Sequence, residues 1–319
     1  MFFPPPPSKG EEAKIGGLSK MAPVTQNQKR VSSLLFSSLT RNLLAWAGVV
    51  PFLVFVILFL FWPASSLIVG SFQTPSGSFT FKNILDLFTP TILNAYSLSI
   101  QISVVTAIGG GIFGFMLAYA AILGELPRWI RTALTTFSGV ASNFAGVPLA
   151  FAFIATLGHT GFLTVFLANR LGINIYNLGF DLYNFWGLAI TYMYFQFPLM
   201  VLIMAPALDG LKKEWREASE NLGATPFQYW RYVALPILLP SLLGSTILLF
   251  GNAFGAYATA YALTRTFNIV TVLIGDQISG NVLYNPNLGY ALAFGMIVIM
   301  AISIALYTWL QRRTARWLK

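Results

Sequence analysis

Charged side chains are missing from six long stretches of this chain: Asn42–Phe81, Leu87–Gly124, Thr132–Asn169, Leu182–Leu208, Tyr232–Thr264 and Gln277–Gln311. The shortest holds 27 residues, and every other charge-free run holds ten or fewer. A helix needs roughly 20 apolar residues to cross the hydrocarbon of a bilayer. Each stretch therefore has room for one crossing and not comfortably for two. The pattern predicts spans near 46–70, 96–122, 133–157, 186–207, 237–263 and 289–310. They must be helices, because every backbone donor and acceptor has to be satisfied inside lipid. A membrane β-barrel would show short alternating segments, and these runs are too long and continuous. The expected fold is an all-α polytopic membrane protein with six transmembrane helices. Its membrane domain covers 42–319.

Between spans four and five the pattern changes. The segment 209–235 is dense in charge and predicts two helices joined by a turn. Lys213 with Glu217, and Arg216 with Glu220, stand at i, i+4 spacing, which supports a helix on a wet surface. Gly223 sits where a helix ends in a left-handed residue. Thr225, Pro226 and Gln228 occupy the cap, first and third positions of a capping box. The second helix is expected to run to about Leu235 and to break at Pro236, where span five begins. A connection of this size exceeds the usual helix–helix loop. It is expected to expose Trp215, Phe227, Tyr229 and Trp230. Physics alone leaves two readings open: a docking surface for a partner, or an amphipathic helix lying on lipid headgroups.

Composition agrees with the membrane reading. Only 9% of the 319 residues are charged, 56% are hydrophobic, and the mean hydropathy is +0.70. Soluble domains carry about 25% charge. The chain has no Cys, which excludes iron–sulfur clusters, Cys-ligated zinc and thiol catalysis. The net charge of +9 is explained by where the basic residues fall. Sixteen of the 19 lie before span one, between two and three, between four and five, and after six; Lys82, Arg170 and Arg265 lie in the other loops. The positive-inside bias then predicts both termini in the cytoplasm, and no nucleic-acid partner is needed. Residues 1–41, with Pro4 to Pro7 and then Ser, Lys, Glu and Gly, cannot bury a core and are expected to be a disordered cytoplasmic tail. Its prolines and glutamates precede a long apolar run, so span one reads as an uncleaved helix.

The hairpin carries one further pattern. Glu217-Ala218-Ser219, three residues, Gly223, nine residues and Val233-Ala234-Leu235-Pro236 match the spacing of Glu-Ala-Ala, three residues, Gly, nine residues, Ile-x-Leu-Pro. In this the chain resembles the permease subunits of binding-protein-dependent ATP-binding-cassette (ABC) importers, the six-span, inner-membrane type; Ser219 and Val233 are small departures. The resemblance covers about 45–315. It implies that the hairpin is the coupling helix, seated in a groove of a separate ATPase. Glu217 would face the ATPase, Ala218 would pack closely, Gly223 would make the turn, and Pro236 would break the chain into span five. It also implies two ATPase subunits that hold ATP and Mg, a second permease subunit (a paralogue or a copy), and an external substrate-binding protein. The chain itself would be no enzyme and would bind no cofactor.

Other motifs carry less. Gly109–Gly114 matches Gly-x-Gly-x-x-Gly but lies inside span two with no strand before it. Gly110 and Gly114 read instead as small-xxx-small helix packing. No run of the form Gly-x-x-x-x-Gly-Lys-Ser/Thr occurs, so ATP phosphates have no cradle here. His159, the one histidine, is expected to be structural or interfacial. No pair of carboxylates stands in a span, which speaks against a proton-coupled secondary transporter; a membrane scaffold remains a further alternative. Asn143, Gln196, Asn252, Tyr257 and Thr259 are polar residues inside spans three to five. Singly they suit helix–helix bonding; as a set they are the candidate lining of a solute path. The loops Tyr176–Tyr183 and Phe267–Asn287 are expected to be short lids or interfacial helices, with Asp86, Asp181 and Asp276 available to a cationic cargo. The segments from Asn252 to Ala260 and from Asn287 to Gly295 resemble the branch that handles polyamines and aminoalkylphosphonates; iron(III), thiamine and sulfate permeases are its relatives.

Overall fold

The computed structural model describes residues 46, 48–124, 126–264, 267–279 and 284–315. The expected tail, 1–41, and Arg265 lie outside them. The chain divides at Pro63. The described residues of the first unit form most of α1 (Gly48–Ser71), an apolar helix with a π turn over Ile57–Phe61. The second unit holds α2 (Lys82–Asp86), α3 (Pro90–Leu123), α4 (Arg128–Asn143), α5 (Val147–Leu157), α6 (Phe162–Leu171), α7 (Phe185–Asp209), α8 (Lys213–Asn221), α9 (Pro226–Phe254), α10 (Ala258–Leu263), α11 (Val270–Ser279) and α12 (Pro286–Ala315). Among the described residues, six helical stretches are long and apolar enough to cross a membrane: α1, α3, α5 with α6, α7, α9 and α12. The described residues include no strand, only one bridge between Gln73 and Phe79.

α3 lies at the centre because one of its faces is made of small residues. Ala95, Ser99, Ser103, Thr106, Gly110, Gly114, Ala118 and Ala121 recur every three or four positions and are buried. The hydroxyls of Ser99, Ser103 and Thr106 donate to carbonyls four residues back, at 2.7–2.8 Å, so the stripe hides its own polarity. α7 packs along this stripe. A Cβ added at Gly110 would lie 2.6 Å from Cβ of Gln196, and one at Gly114 would lie 2.5 Å from Cβ of Met200. The expected glycine packing is therefore formed, and its partner is α7. Tyr96 adds a long-range tie from α3 to α12, its hydroxyl donating to the Leu292 carbonyl at 2.5 Å.

Two of the predicted spans are each divided into two helices. The predicted span 133–157 is two helices, α4 and α5, separated at 144–146. Gly146 takes φ 76° and ψ −150°, a shape open only to glycine. Pro148 follows, and its ring would collide with the carbonyl four residues back in a continuous helix. The membrane-length stretch is Val147–Leu171 instead. α4 is free of acids yet rich in hydroxyls, with Thr132, Thr135, Thr136, Ser138 and Ser142; absence of charge overstated its hydrophobicity. The predicted span 237–263 is likewise divided, into α9 and α10, at Gly255–Tyr257. Asn143 closes the first half of one broken span, and Asn252 stands in the last turn of α9.

Candidate functional site

The hairpin between α7 and α9 is built by local bonding. α8 ends in a Schellman turn: the Ala224 N–H donates to the Ser219 carbonyl at 3.0 Å, and the Gly223 N–H to that of Glu220 at 2.9 Å. Gly223 makes the turn with φ 78°. The next helix opens with the expected box. The Gln228 N–H donates to Thr225 Oγ1 at 3.3 Å, and the Thr225 N–H to Gln228 Oε1 at 2.7 Å. Such a cap contributes about 1 kcal/mol. Of the two expected ion pairs, Arg216 with Glu220 is formed at 2.9 Å. The bond to Glu220, then its negative charge, raises the Arg216 guanidinium above its usual range. Lys213 and Glu217 make no ion pair among the described residues; Lys212 instead sets its ammonium 5.7 Å from the Trp215 ring centre.

Three sequence expectations need correction here. Pro236 does not break the chain. A π turn over Trp230–Ala234 widens the helix just ahead of it. This makes room for the proline ring, and α9 runs through to Phe254. Tyr229 and Trp230 are not displayed. Tyr229 is buried, and Trp230 packs edge-on to Tyr119 of α3 with ring centres 5.2 Å apart. The apolar display is at the tip, where Leu222 is 88% and Phe227 72% exposed. Leu222 was not predicted; its position one residue before the turn glycine, where a helix end projects, was the available signal. Of the signature residues, Glu217, Ala218 and Gly223 are exposed, while Ser219 and Pro236 are half-buried. The Ser219 hydroxyl donates to the Arg216 carbonyl at 2.7 Å. At the root of the hairpin, Arg131 of α4 pairs with Asp209, the last residue of α7.

The polar residues of the spans separate into two groups. Gln196 is fully buried, and its Nε2 donates to the Leu249 carbonyl of α9 at 3.0 Å. Thr259 is also buried. Its hydroxyl accepts from the Gly146 N–H at 2.8 Å and donates to the Gly146 carbonyl at 3.0 Å. These two residues join helices, and neither lines an open path. Asn143 and Asn252 are exposed, and Tyr257 is 41% exposed. Asn143 meets its own helix through a bond to the Gly139 carbonyl at 2.9 Å. The exposed polar edge continues along α4 through Thr132 and Thr136. A mid-span amide or hydroxyl has to meet another protein surface or water, so these are the residues through which this chain can present polarity to something outside itself.

On the side of the bundle opposite the hairpin, His159 stacks on Tyr176 with ring centres 3.9 Å apart. The Tyr176 hydroxyl donates to the Leu157 carbonyl at 2.8 Å. Burial, helped by the Asp181 carboxylate, pushes that phenol above its usual range. Asp181 Oδ1 accepts from the Tyr183 N–H at 2.9 Å and shapes its own turn. Residues 176–183 form turns rather than a lid helix, while the other expected lid contains α11.

Residues 110–316 match the family model described as the binding-protein-dependent transport system inner membrane component. The chain belongs to this family. It is the membrane permease subunit of an ABC importer, and as such it is not an enzyme; ATP hydrolysis belongs to a separate subunit. The permease is 29% identical to the sulfate transport system permease protein CysT of Salmonella typhimurium over 64% of its length and 69% of that protein. It is 24% identical to a protein named as ferric transport system permease FbpB 1 of Haemophilus influenzae, over 84% of its length and 42% of that protein. The permease fold is also that of a bacterial ABC transporter involved in import of the acidic polysaccharide alginate. The TM-score is 0.68 and the identity 17%, with 88% of this chain and 98% of that one covered.

Proposed function

We propose that this permease, with a second permease subunit and two ATPase subunits, forms the import path for a small oxyanion such as sulfate delivered by an external binding protein. Both termini and the hairpin lie in the cytoplasm on this reading, which the 16 to 3 split of basic residues supports. The observation that carries the coupling role is the hairpin itself. Its signature residues Glu217, Ala218 and Gly223 stand exposed beside an apolar tip of Leu222 and Phe227. An ATPase groove would take Leu222 and Phe227 as anchors, with Glu217 at the rim and Ala218 allowing close approach; Ser219 and Pro236 support the shape from within.

The cargo reading moves from polyamine to oxyanion for two reasons. Neither named relative handles a polyamine, and of the two the sulfate permease, at 29% identity against 24% for the ferric one, is the more similar. In addition, Asp181, one of the acids available to a cation, is occupied in its own turn. Asn143, Asn252 and Tyr257 offer uncharged donors, which suit a hydrated anion passing without a trapping charge. The test is reconstitution of the full chain with its ATPase in vesicles. Sulfate uptake that requires ATP, and that is lost in Gly223→Pro, is expected. If no ATPase co-purifies, the complex is wrong; if spermidine enters and sulfate does not, the cargo is wrong.

A further inference from the structure

We infer that the Thr259 hydroxyl is a positioning group that locks the breaks of spans three and five into one moving body. This deepens the importer reading and rests on it. One side-chain atom holds both backbone polar groups of a single residue 113 positions away, at 2.8 and 3.0 Å. That residue is Gly146, whose φ of 76° and ψ of −150° a glycine adopts freely and other residues do not.

Packing continues the tie. Leu149 and Ala150 of α5 share a buried cluster with Ala260 and Leu263 of α10. The small side chains of Ala150 and Ala260 let the two backbones come close. Two carbonyls at or near the span-five break are also taken by side chains. Gln196 bonds that of Leu249, and Tyr192 and Thr271 both bond that of Ala256, at 3.1 and 3.2 Å. Side chains of α7 and α11 thus anchor the break. The points that can bend are 144–146, ahead of α5, and 255–257, ahead of α10. With Thr259 in place, α5 and α10 lie beyond both bends as one block. A displacement entering α9 from the hairpin then reaches α5 directly, without passing through α4.

The chain has no Cys, so a pair of spin labels can be placed cleanly at the exposed residues Ala152 of α5 and Tyr261 of α10. The full transporter in nanodiscs is compared without nucleotide and trapped with ATP. One unchanged distance in both states is expected; a distance that shifts between the states overturns the pin. Thr259→Val should broaden the label distance into more than one population and lower sulfate uptake per ATP hydrolysed by about tenfold. Thr259→Ser, which keeps the hydroxyl, should restore both. A Thr259→Val protein with one distance and unaltered uptake per ATP refutes the inference. Should Thr259→Val fail to fold, the unsubstituted pair still decides. Should no ATPase assemble, the importer reading fails separately, and the Val and Ser variants of the isolated chain still test the pin by their distances.

Discussion

The hairpin and the mid-span breaks are both turns between helices, yet they are held in opposite ways. In the hairpin every deciding bond spans three to five residues: Gly223 to Glu220, Ala224 to Ser219, Thr225 with Gln228. At the breaks the deciding bonds span 53, 64 and 113 residues: Gln196 to Leu249, Tyr192 to Ala256, and Thr259 with Gly146. The hairpin faces water, which would satisfy its backbone if the caps were lost. At the breaks the side chains that make these bonds, Tyr192, Gln196 and Thr259, are buried, and an unmade bond there keeps its full cost. A surface that must dock with another protein can be built from local rules. A bend within a span needs partners on other helices.

The largest expected effect tests whether the interior is held by close approach. In Gly114→Val the new Cβ would lie 2.5 Å from Cβ of Met200 and 2.8 Å from the Phe197 carbonyl oxygen. Backbone cannot yield as a side-chain tip can, so α3 and α7 must separate. The expected loss is about 2 kcal/mol or more, seen as a lower unfolding midpoint in detergent. Gly111→Ala is the control, because its nearest neighbour is Thr246 Oγ1 at 3.5 Å, an ordinary contact. Equal midpoints for the two variants would show that the small-residue stripe is not what joins these helices.

This contrast also explains what could be read from the chain alone. Six spans and the capping box depend on runs and short spacings, and both were legible. Gly110 and Gly114 were legible as packing positions, but α7 as their partner was not, because a small residue does not name its neighbour. Thr259 and Gln196 were grouped with Asn143 and Asn252 since all are polar and mid-span. Only the fold separates those that turn inward from those that face out. The extent of span three was misplaced because α4, rich in Thr and Ser, has no charge between Thr132 and Asn143. Leu222 and the π turn ahead of Pro236 depend on projection and on helix width, neither of which a residue pattern records.

A middle effect is expected at the hairpin turn. A Cβ at Gly223 meets nothing within 4 Å, so Gly223→Ala brings no clash and only the left-handed backbone at φ 78°. The cost is about 1 kcal/mol. Because the bonds there are local, the cost should remain local. Hydrogen exchange should quicken at the amides of Gly223 and Ala224 while the bundle's unfolding midpoint stays in place. Gly223→Asn should lose less, since asparagine tolerates this conformation better. A fall in midpoint as large as that of Gly114→Val would mean that the hairpin and interior are one cooperative unit, and the distinction drawn between them would fail.

The smallest effect is expected at Arg216→Gln. Arg216 and Glu220 pair at 2.9 Å, but their side chains remain 66% and 50% exposed. Water and salt screen such a pair, and holding two long side chains together costs entropy that offsets most of the attraction. Glu220 raises the Arg216 guanidinium above an already high range. A raised folded value means that the favourable contribution is fully present below the ordinary arginine range and is lost only above the folded value. Arg216 is therefore charged throughout the neutral range, and this side chain gives stability no pH dependence there. Arg216→Gln should leave the unfolding midpoint unchanged in low salt and in high salt alike. A clear drop that appears only in low salt would show that the pair does hold α8, and that the hairpin owes part of its shape to charge as well as to its caps.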